Sequence, residues 1–318
     1  MRRWILVLPV TLLCSLGVLL LLQGCGSEGG ISAPKGSSSV TLSLSGLEPL
    51  SDGLNYQAWL VGGTRTDYFG VPVILFNMNE SGQMVDPAAD TVLTGPFHAG
   101  LDASAALGVA VSLELTDEPV AYSSSTFILG GEVSQGNAIL RADNWLSLNL
   151  DFSSMEGRFI LATPTDEDPE NELSGIWFMD PHSDPAEPGL FLPDGPVGWI
   201  YEGWVVLDSQ ALSVGRFSFP NAEDSANAYS GPLSAPPFPG EDFLTAAPDG
   251  LTFPPDLSQA SVFVTLEPWA EWNVEPETPF FLRILETQLP ADATPQTLYE
   301  MTNLADQLPT GTATIQGP

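Results

Sequence analysis

The chain has 318 residues, with 8 basic against 40 acidic side chains and a formal net charge of −32 at pH 7. This charge repels a phosphate backbone and argues against a nucleic-acid partner. Two cysteines are too few for a disulfide framework or a zinc site built on several thiolates. The 43% share of hydrophobic residues is sufficient for a folded core, and the length predicts two domains of ordinary size.

The first 25 residues have the layout of a secretory signal. Arg2 and Arg3 precede an almost wholly apolar run over residues 4–22, which corresponds to the basic and hydrophobic regions of an export signal. The run ends in Leu-Gln-Gly-Cys, with the cysteine at position 25, and this motif resembles the bacterial lipobox. The resemblance implies that residues 1–24 are removed and that Cys25 carries diacylglycerol and a further acyl chain such as palmitate. The alternative is an uncleaved anchor, because about 19 apolar residues can just span a bilayer.

Lipidation at Cys25 predicts an exported protein whose partner is a membrane. Two or three acyl chains are needed because a single chain binds membranes only weakly and reversibly. The expected location is the outer membrane, on its periplasmic or surface face, with residues 25–37 as a flexible tether. Loss of Arg2 and Arg3 with the signal leaves 6 basic against 40 acidic residues, a formal charge of −34.

An internal repeat organises the rest of the chain. The segment at 55–61 returns at 200–206, which places tyrosine and tryptophan at equivalent positions 145 residues apart. Two further blocks, at 109–115 and 126–129, have counterparts about 152 and 153 residues later. A conserved order of such blocks is typical of duplication. We therefore predict two related domains at 38–150 and 151–293, followed by a C-terminal tail at 294–318.

Hydrophobic residues alternate with small or polar ones over 40–44, 109–115 and 262–266, which is the period of strands. The 29 prolines and 30 glycines interrupt the chain about every five residues and leave little room for helices. Only 103–107 and 295–308 have the composition of short helices. This pattern predicts an all-β protein of two immunoglobulin-like β-sandwich domains in tandem.

The repeated Tyr-x-x-Trp motif places two aromatic residues three positions apart, so a regular strand points them to opposite faces. Either one aromatic residue is exposed, or a bulge at Ala58 and Gly203 turns both inward. The small residue between the aromatics in both repeats favours the bulge, with both aromatics in the core.

Three motifs of the second repeat resemble the extracytoplasmic domain of anti-sigma-K factors. They are Tyr-Glu-Gly-Trp at 201–204, Ser-Val-Gly-Arg-Phe at 213–217 and a strand ending in Glu-Pro at 267–268. The first repeat keeps the tyrosine and tryptophan and lacks the second motif. The resemblance implies a β-sandwich. It does not imply anti-sigma activity, which in that family belongs to a cytoplasmic helical segment, whereas here we expect nothing ahead of the export signal.

No catalytic residue and no cofactor is predicted. His98 and His182 lie in proline-rich loops, and the chain has no Gly-x-Ser-x-Gly nucleophile elbow. Loop histidines beside acidic residues are usually solvated, so neither a Ser-His-Asp site nor a histidine metal site is the favoured interpretation. Gly-rich phosphate loops and dinucleotide fingerprints are also absent from the sequence.

The densest acidic run, at 166–172, is a candidate calcium site. Asp166, Asp168 and Glu170 offer hard oxygen ligands at alternate positions. The run lacks the glycine and terminal glutamate spacing of an EF-hand loop, so a solvated hairpin loop is the alternative. Two loop aromatics, Trp269 and Trp272, are candidate contacts for a carbohydrate or protein ligand, with packing against their own domain as the alternative.

These observations predict a non-enzymatic, membrane-anchored protein with a binding, sensing or structural role. The alternative is an extracytoplasmic hydrolase or carbohydrate-active protein with an acidic site. Since the chain has 40 carboxylates, a catalytic pair cannot be chosen from sequence.

Overall fold

Strands make up nearly all regular structure in the computed structural model, which describes residues 36–51, 53–115, 126–225, 227–269 and 278–317. The all-β prediction is therefore confirmed. The described strands, numbered in chain order, are β1 (Ser38–Ser45), β2 (Leu54–Thr64), β3 (Asp67–Met78), β4 (Met84–Val85), β5 (Phe97–Ala99), β6 (Ala106–Leu115), β7 (Phe127–Glu132), β8 (Asn137–Arg141), β9 (Glu156–Leu161), β10 (Gly175–Trp177), β11 (Met179–Asp180), β12 (Glu187–Pro188), β13 (Leu190–Phe191), β14 (Trp199–Leu207), β15 (Gln210–Phe217), β16 (Gly240–Asp242), β17 (Ser261–Pro268), β18 (Arg283–Gln288), β19 (Tyr299–Glu300), β20 (Thr302–Asn303) and β21 (Thr310–Gln316).

Helical structure in the described residues is limited to three short 3₁₀ turns, at Ala103–Ala105, Phe152–Ser154 and Ala305–Gln307. The first and third lie inside the two segments whose composition suggested helices. The other regular structure in these two segments is β-strand. Residues 106–107 begin β6, and β19 and β20 lie within 295–308. Within the part of the chain that the structure describes, no helix is long and apolar enough to cross a membrane.

The strands of the N-terminal half and the C-terminal strand β21 form one antiparallel sheet, here called the β2 sheet. Its strand order is β4-β3-β2-β6-β7-β8-β21-β1-β5. Strand β5, at one end, contacts β3, near the other, so the sheet curls round its own apolar face. Tyr56, Ala58 and Leu60 of β2 point into that face and are buried.

The second half contains two sheets that pack face to face. The β14 sheet has the order β15-β14-β17-β18-β20, and the β9 sheet has the order β13-β9-β10-β16, with β19 also paired to β9. A Cβ atom at Gly203 of β14 would lie 2.7 Å from the Phe178 ring, and one at Gly157 of β9 would lie 2.6 Å from Leu285. Glycine at these positions lets the two layers approach closely, in a sandwich-like arrangement.

Buried apolar side chains of both halves belong to one continuous cluster, which extends from Val40 to Ile315. The finer interpretation, two immunoglobulin-like domains divided at 150/151, stays a prediction. The segment 294–318 differs from the expected tail. Strand β21 lies between β8 and β1, while β19 and β20 pair with β9 and β18. In β21, threonine alternates with glycine and alanine, which is a weak apolar signal. The sequence therefore did not indicate a strand at this position.

The repeat is visible in the pairing of the strands. The order β3-β2-β6-β7 in the first half matches β15-β14-β17-β18 in the second. Tyr56 stacks on Phe76 at 5.3 Å, as Tyr201 stacks on Phe217 at 5.8 Å. The indole of Trp59 donates to Ser112 Oγ at 2.8 Å, as that of Trp204 donates to Thr265 Oγ1 at 2.9 Å.

A register shift occurs beside the expected bulge positions, between Ala58 and Trp59 and between Gly203 and Trp204. In both hairpins the extra residue lies in the partner strand, where Val73 and Val214 are left out of the register. Strands β2 and β14 therefore keep their alternation, and the expectation that a bulge turns both aromatics inward is wrong. Tyrosine and tryptophan lie on opposite faces. Both are buried, because each sheet is covered on its outer face as well.

Candidate binding cleft at the edge of the β14 sheet

Several predicted site residues lie outside the described part of the chain or make only local contacts. Cys25 and Trp272 are outside the described residues. Trp269 follows β17 directly and is 62% exposed. Its backbone N–H donates to the Gly198 carbonyl at 2.7 Å, which fixes the start of that loop but leaves the indole in solvent.

The acidic loop uses its carboxylates for turns. Asp166 accepts the backbone N–H of Asp168 at 3.2 Å and the amide of Asn171 at 2.6 Å, and Asp168 accepts the N–H of Glu170 at 3.0 Å. Within the described residues, no group of three or more His, Cys, Asp or Glu side chains is arranged to hold a metal ion. Calcium binding at Asp166, Asp168 and Glu170 stays a prediction.

Each histidine is exposed and has one polar side-chain partner. His98 Nε2 lies 3.2 Å from Ser37 Oγ, and His182 Nδ1 lies 3.2 Å from Asp180 Oδ1. The hydrogen bonds of the described residues therefore do not join serine, histidine and acid at either position.

The two repeats diverge in the polar residues on the outer face of their central strands. Strand β2 has Gln57, which pairs with Leu75, whereas β14 has Glu202 at the equivalent position, which pairs with Arg216. The second repeat thus has a buried charge pair where the first repeat has uncharged residues.

Glu202 and Glu267 share the guanidinium of Arg216. Arg216 Nε lies 2.7 Å from Glu202 Oε2, and its terminal nitrogen lies 3.6 Å from Glu267 Oε2. Glu202 also accepts from Ser213 Oγ at 2.6 Å, and Glu267 accepts from Thr265 Oγ1 at 2.8 Å and from the Phe280 N–H at 3.2 Å. The side chains of both glutamates are at most 1% exposed, and that of Arg216 is 25% exposed.

A cleft of about 620 Å³ opens beside this cluster. Its walls come from β14, β15, the connection after β15, and β16, which is the edge strand of the β9 sheet. Its lining residues include Glu202, Ser213, Arg216, Tyr229 and Glu241. The volume is in the range of small-molecule sites in proteins.

Glu241 is the least satisfied acid of the cleft. The residue is fully buried, Ser230 Oγ donates to its Oε1, and its Oε2 has no hydrogen-bond partner among the described residues. Burial raises the pKa of the Glu241 carboxyl to about 7, although hydrogen bonds from Ser230 and from the backbone of Tyr229 oppose that rise. The nearby charges of Asp224 and Asp242 raise this pKa further. A buried carboxylate without a counter-charge is costly, so near neutral pH this group is divided between its acid and its carboxylate form.

The adjacent Asp242 is also fully buried but is well satisfied. It accepts the backbone N–H of Thr165 at 2.7 Å, the hydroxyl of Thr165 at 2.5 Å and the indole N–H of Trp177 at 2.6 Å. Burial raises the pKa of Asp242, and these hydrogen bonds oppose that rise. Asp242 therefore joins the loop after β9 to β16, whereas Glu241 lines the cleft.

Glu202 responds to the same physical causes. Burial, followed by the negative charge of Glu267, raises the pKa of the Glu202 carboxyl to about 8. Hydrogen bonds from Ser213 and Arg216, and the charge of Arg216, oppose this rise. The cleft thus brings together two carboxyl groups whose charge depends on pH near neutrality.

Neither Glu202 nor Glu241 was selected from the sequence. The signal was present, because Glu202 interrupts the apolar strand Trp199–Leu207 and Glu241 lies between Phe238 and Phe243. An acidic residue inside an apolar stretch is informative because isolated charges are rarely buried.

The resemblance to anti-sigma-K factors rests on the quoted motifs and stays a prediction. The chain matches no protein-family model, and neither a curated protein nor a solved structure is significantly similar to it.

Proposed function

We propose that this chain is an exported, lipid-anchored protein that binds a small polar ligand in the cleft between β15 and β16. The export signal and Cys25 support the anchor, and the extracytoplasmic domain of anti-sigma-K factors is the sandwich that its repeats resemble. The observation that carries the binding role is Glu241, a residue of the cleft wall whose buried carboxyl group has one oxygen without a hydrogen-bond partner among the described residues. Such groups are normally satisfied, and a bound ligand satisfies them.

A cleft-filling substitution tests the binding role. Ala228 lines the cleft and is exposed, so Ala228→Trp is expected to fill the cleft without disturbing the core. In a thermal-shift screen of sugars, amino acids, amino sugars and polyamines, ligands that stabilise the parent should lose their effect in this variant. Ala235→Trp is the matched control, since Ala235 is exposed and lines a different, smaller cleft. Ligands that stabilise both variants as they do the parent would contradict the proposal.

Lipidation is tested by replacing the acceptor. The parent should partition into the detergent phase and carry acyl mass on Cys25, whereas Cys25→Ser should lose the modification and its normal processing. The physical reason is that stable anchoring needs at least two acyl chains. Mass spectrometry of the N-terminal peptide together with phase partitioning measures this result. A Cys25→Ser protein that is processed and membrane-bound like the parent would show that another feature anchors the chain.

A carboxylate-based hydrolase is the second candidate, because the cleft presents two carboxyl groups with raised pKa values and general acids need a pKa near the working pH. Turnover of 4-nitrophenyl glycosides that is lost in Glu241→Gln would favour this candidate over binding alone.

A further inference from the structure

The acidic groups of the cleft outnumber its cationic groups. Arg216 is the cationic side chain among the described lining residues, and its guanidinium already contacts Glu202 and Glu267. Both of these acids are buried, so the charge of Arg216 is compensated inside the cluster. Glu241 remains without a cation, since no ion pair among the described residues includes it.

The surroundings of Glu241 are themselves negative. Asp224 and Asp242 lie close enough to raise its pKa, and neither supplies a counter-charge. Asp224 accepts the Gly240 N–H at 2.8 Å, and Asp242 is held by Thr165 and Trp177. The low-dielectric wall of the cleft strengthens the attraction of this group of acids for a positive charge.

The missing charge fits an organic cation better than a metal ion. The described residues contain no group of three or more potential metal ligands, and a divalent cation needs several oxygen ligands. The cleft also has about 620 Å³ to fill, far more than one ion. Ser213 and Tyr229 also line the cleft, so its wall has polar and aromatic surface for the uncharged part of a ligand to contact.

We propose that the cleft binds a small organic cation, a molecule with a protonated amine or guanidine that pairs with the carboxylate of Glu241. This inference rests on the proposed binding function and specifies the ligand class of the same site. A charge-assisted hydrogen bond to the unpartnered Oε2 gives Glu241 the partner that the protein itself does not supply.

The proton balance of binding follows from this pairing. Where Glu241 is protonated before binding, its O–H proton is released to solvent as the ammonium group of the ligand, which keeps its own proton, pairs with the carboxylate. Burial holds the pKa of Glu241 near 7, so a fraction of one proton is released at pH 6.5. Near pH 8.5, where Glu241 is already ionised, its share of the release disappears. Glu202, with its pKa raised to about 8, and Arg216 face the same cleft.

Matched pairs of probes that differ in charge test the ligand class. Glucosamine against glucose, and 1,5-diaminopentane against 1,5-pentanediol, compare an ammonium group with a hydroxyl group on the same skeleton. With the full-length protein in detergent, we expect calorimetry to show binding of at least one amine and at least tenfold weaker binding of its neutral partner. Calorimetry of 1,5-diaminopentane, whose ammonium groups stay protonated at both pH values, should show proton release at pH 6.5 that is smaller at pH 8.5 when two buffers of different ionisation enthalpy are compared. Glucosamine is compared with glucose at pH 6.5 only, because its amine loses its proton at higher pH.

Two variants locate the effect. Glu241→Gln keeps the shape of the side chain and is expected to weaken amine binding about 10- to 100-fold, the range of a hydrogen bond to a charged group. Glu223→Gln removes the same formal charge from an exposed residue that does not line this cleft, and it should bind amines as the parent does. Amine binding that both variants weaken equally would indicate a general charge effect and overturn the assignment of Glu241.

The remaining outcomes separate this inference from the proposed function. If glucose or the diol binds as well as its amine, and Ala228→Trp abolishes that binding, the cleft is a binding site but not one for cations. If no probe binds at millimolar concentration, or if calcium or magnesium stabilises the protein through Glu241 in place of the amines, the organic-cation inference is wrong. If the amines bind and neither Ala228→Trp nor Glu241→Gln changes their affinity, both the inference and the cleft as the binding site are wrong.

Discussion

Replacing Trp204 by alanine is expected to lower the free energy of unfolding by about 3–5 kcal/mol, the range for emptying a large aromatic site. Trp204 is fully buried on the outer face of the β14 sheet and stacks on Phe263, with ring centroids 6.5 Å apart and an interplanar angle of 18°. The substitution also removes the indole N–H that donates to Thr265. Cavity formation and the lost hydrogen bond act in the same direction.

Trp269→Ala is the matched control for this prediction. Its side chain is largely in solvent, so the loss should be below about 1 kcal/mol. Urea unfolding followed by circular dichroism measures both variants, with the slope of the transition checked for constancy. Equal and small losses at both positions would show that the outer face of the β14 sheet is not packed as described. Trp59→Ala should behave like Trp204→Ala, because the two occupy equivalent positions in the repeats.

The repeat could be predicted because it depends on short-range patterns. The Tyr-x-x-Trp strands and the alternation around Val111 and Val264 are local signals, and local signals fix strand positions well. The central strands of both halves accordingly appear where the sequence placed them, in the same order.

The burial of the tryptophans on the outer faces of their sheets could not be predicted in the same way. Strand alternation alone assigns Tyr201 and Trp204 to opposite faces, and the true question was whether the second face is covered. That face is covered in part by Phe263 and by Arg283, whose guanidinium lies 4.0 Å from the Phe263 ring centroid. Both residues belong to strands that follow Trp204 by 50 or more residues in the chain. Burial on both faces of a sheet is a tertiary property, which period-2 patterns do not encode.

The cleft was missed for a related reason. Glu202 and Glu241 are 39 positions apart and belong to different sheets, Glu202 to β14 and Glu241 to the edge strand β16. Strand β15 and a long connection without regular structure separate them in the chain. Among many acidic residues, only burial distinguishes these two from the exposed acids of the 166–172 loop. The densest acidic run in the sequence suggested a calcium site, yet its carboxylates accept hydrogen bonds mainly from their own turn. The density of charge along the chain is therefore a poor guide to this site.

A pH-dependent stability difference between the parent and Glu241→Gln is the second large effect that we expect. In the folded protein the pKa of Glu241 is about 7, whereas that of an exposed glutamate is 4.5. The folded state therefore binds more protons than the unfolded state between these two values, and the parent loses stability as the pH rises through this window. The contribution of Glu241 is fully present below pH 4.5 and lost above about pH 7.

Glutamine resembles the protonated acid in shape and cannot ionise, so Glu241→Gln should match the parent near pH 4.5 and exceed its stability by about 2–3 kcal/mol at pH 8. Urea unfolding at half-unit steps from pH 4.5 to 8 measures the difference. Glu223→Gln, at an exposed position, should give a curve parallel to that of the parent. Because Asp224 and Asp242 also act on Glu241, the comparison relies on the difference between the two curves and not on the shape of either one. A constant difference across the whole range would mean that Glu241 is not a buried acid of raised pKa, and it would remove the physical basis for the cleft as a site that attracts positive charge.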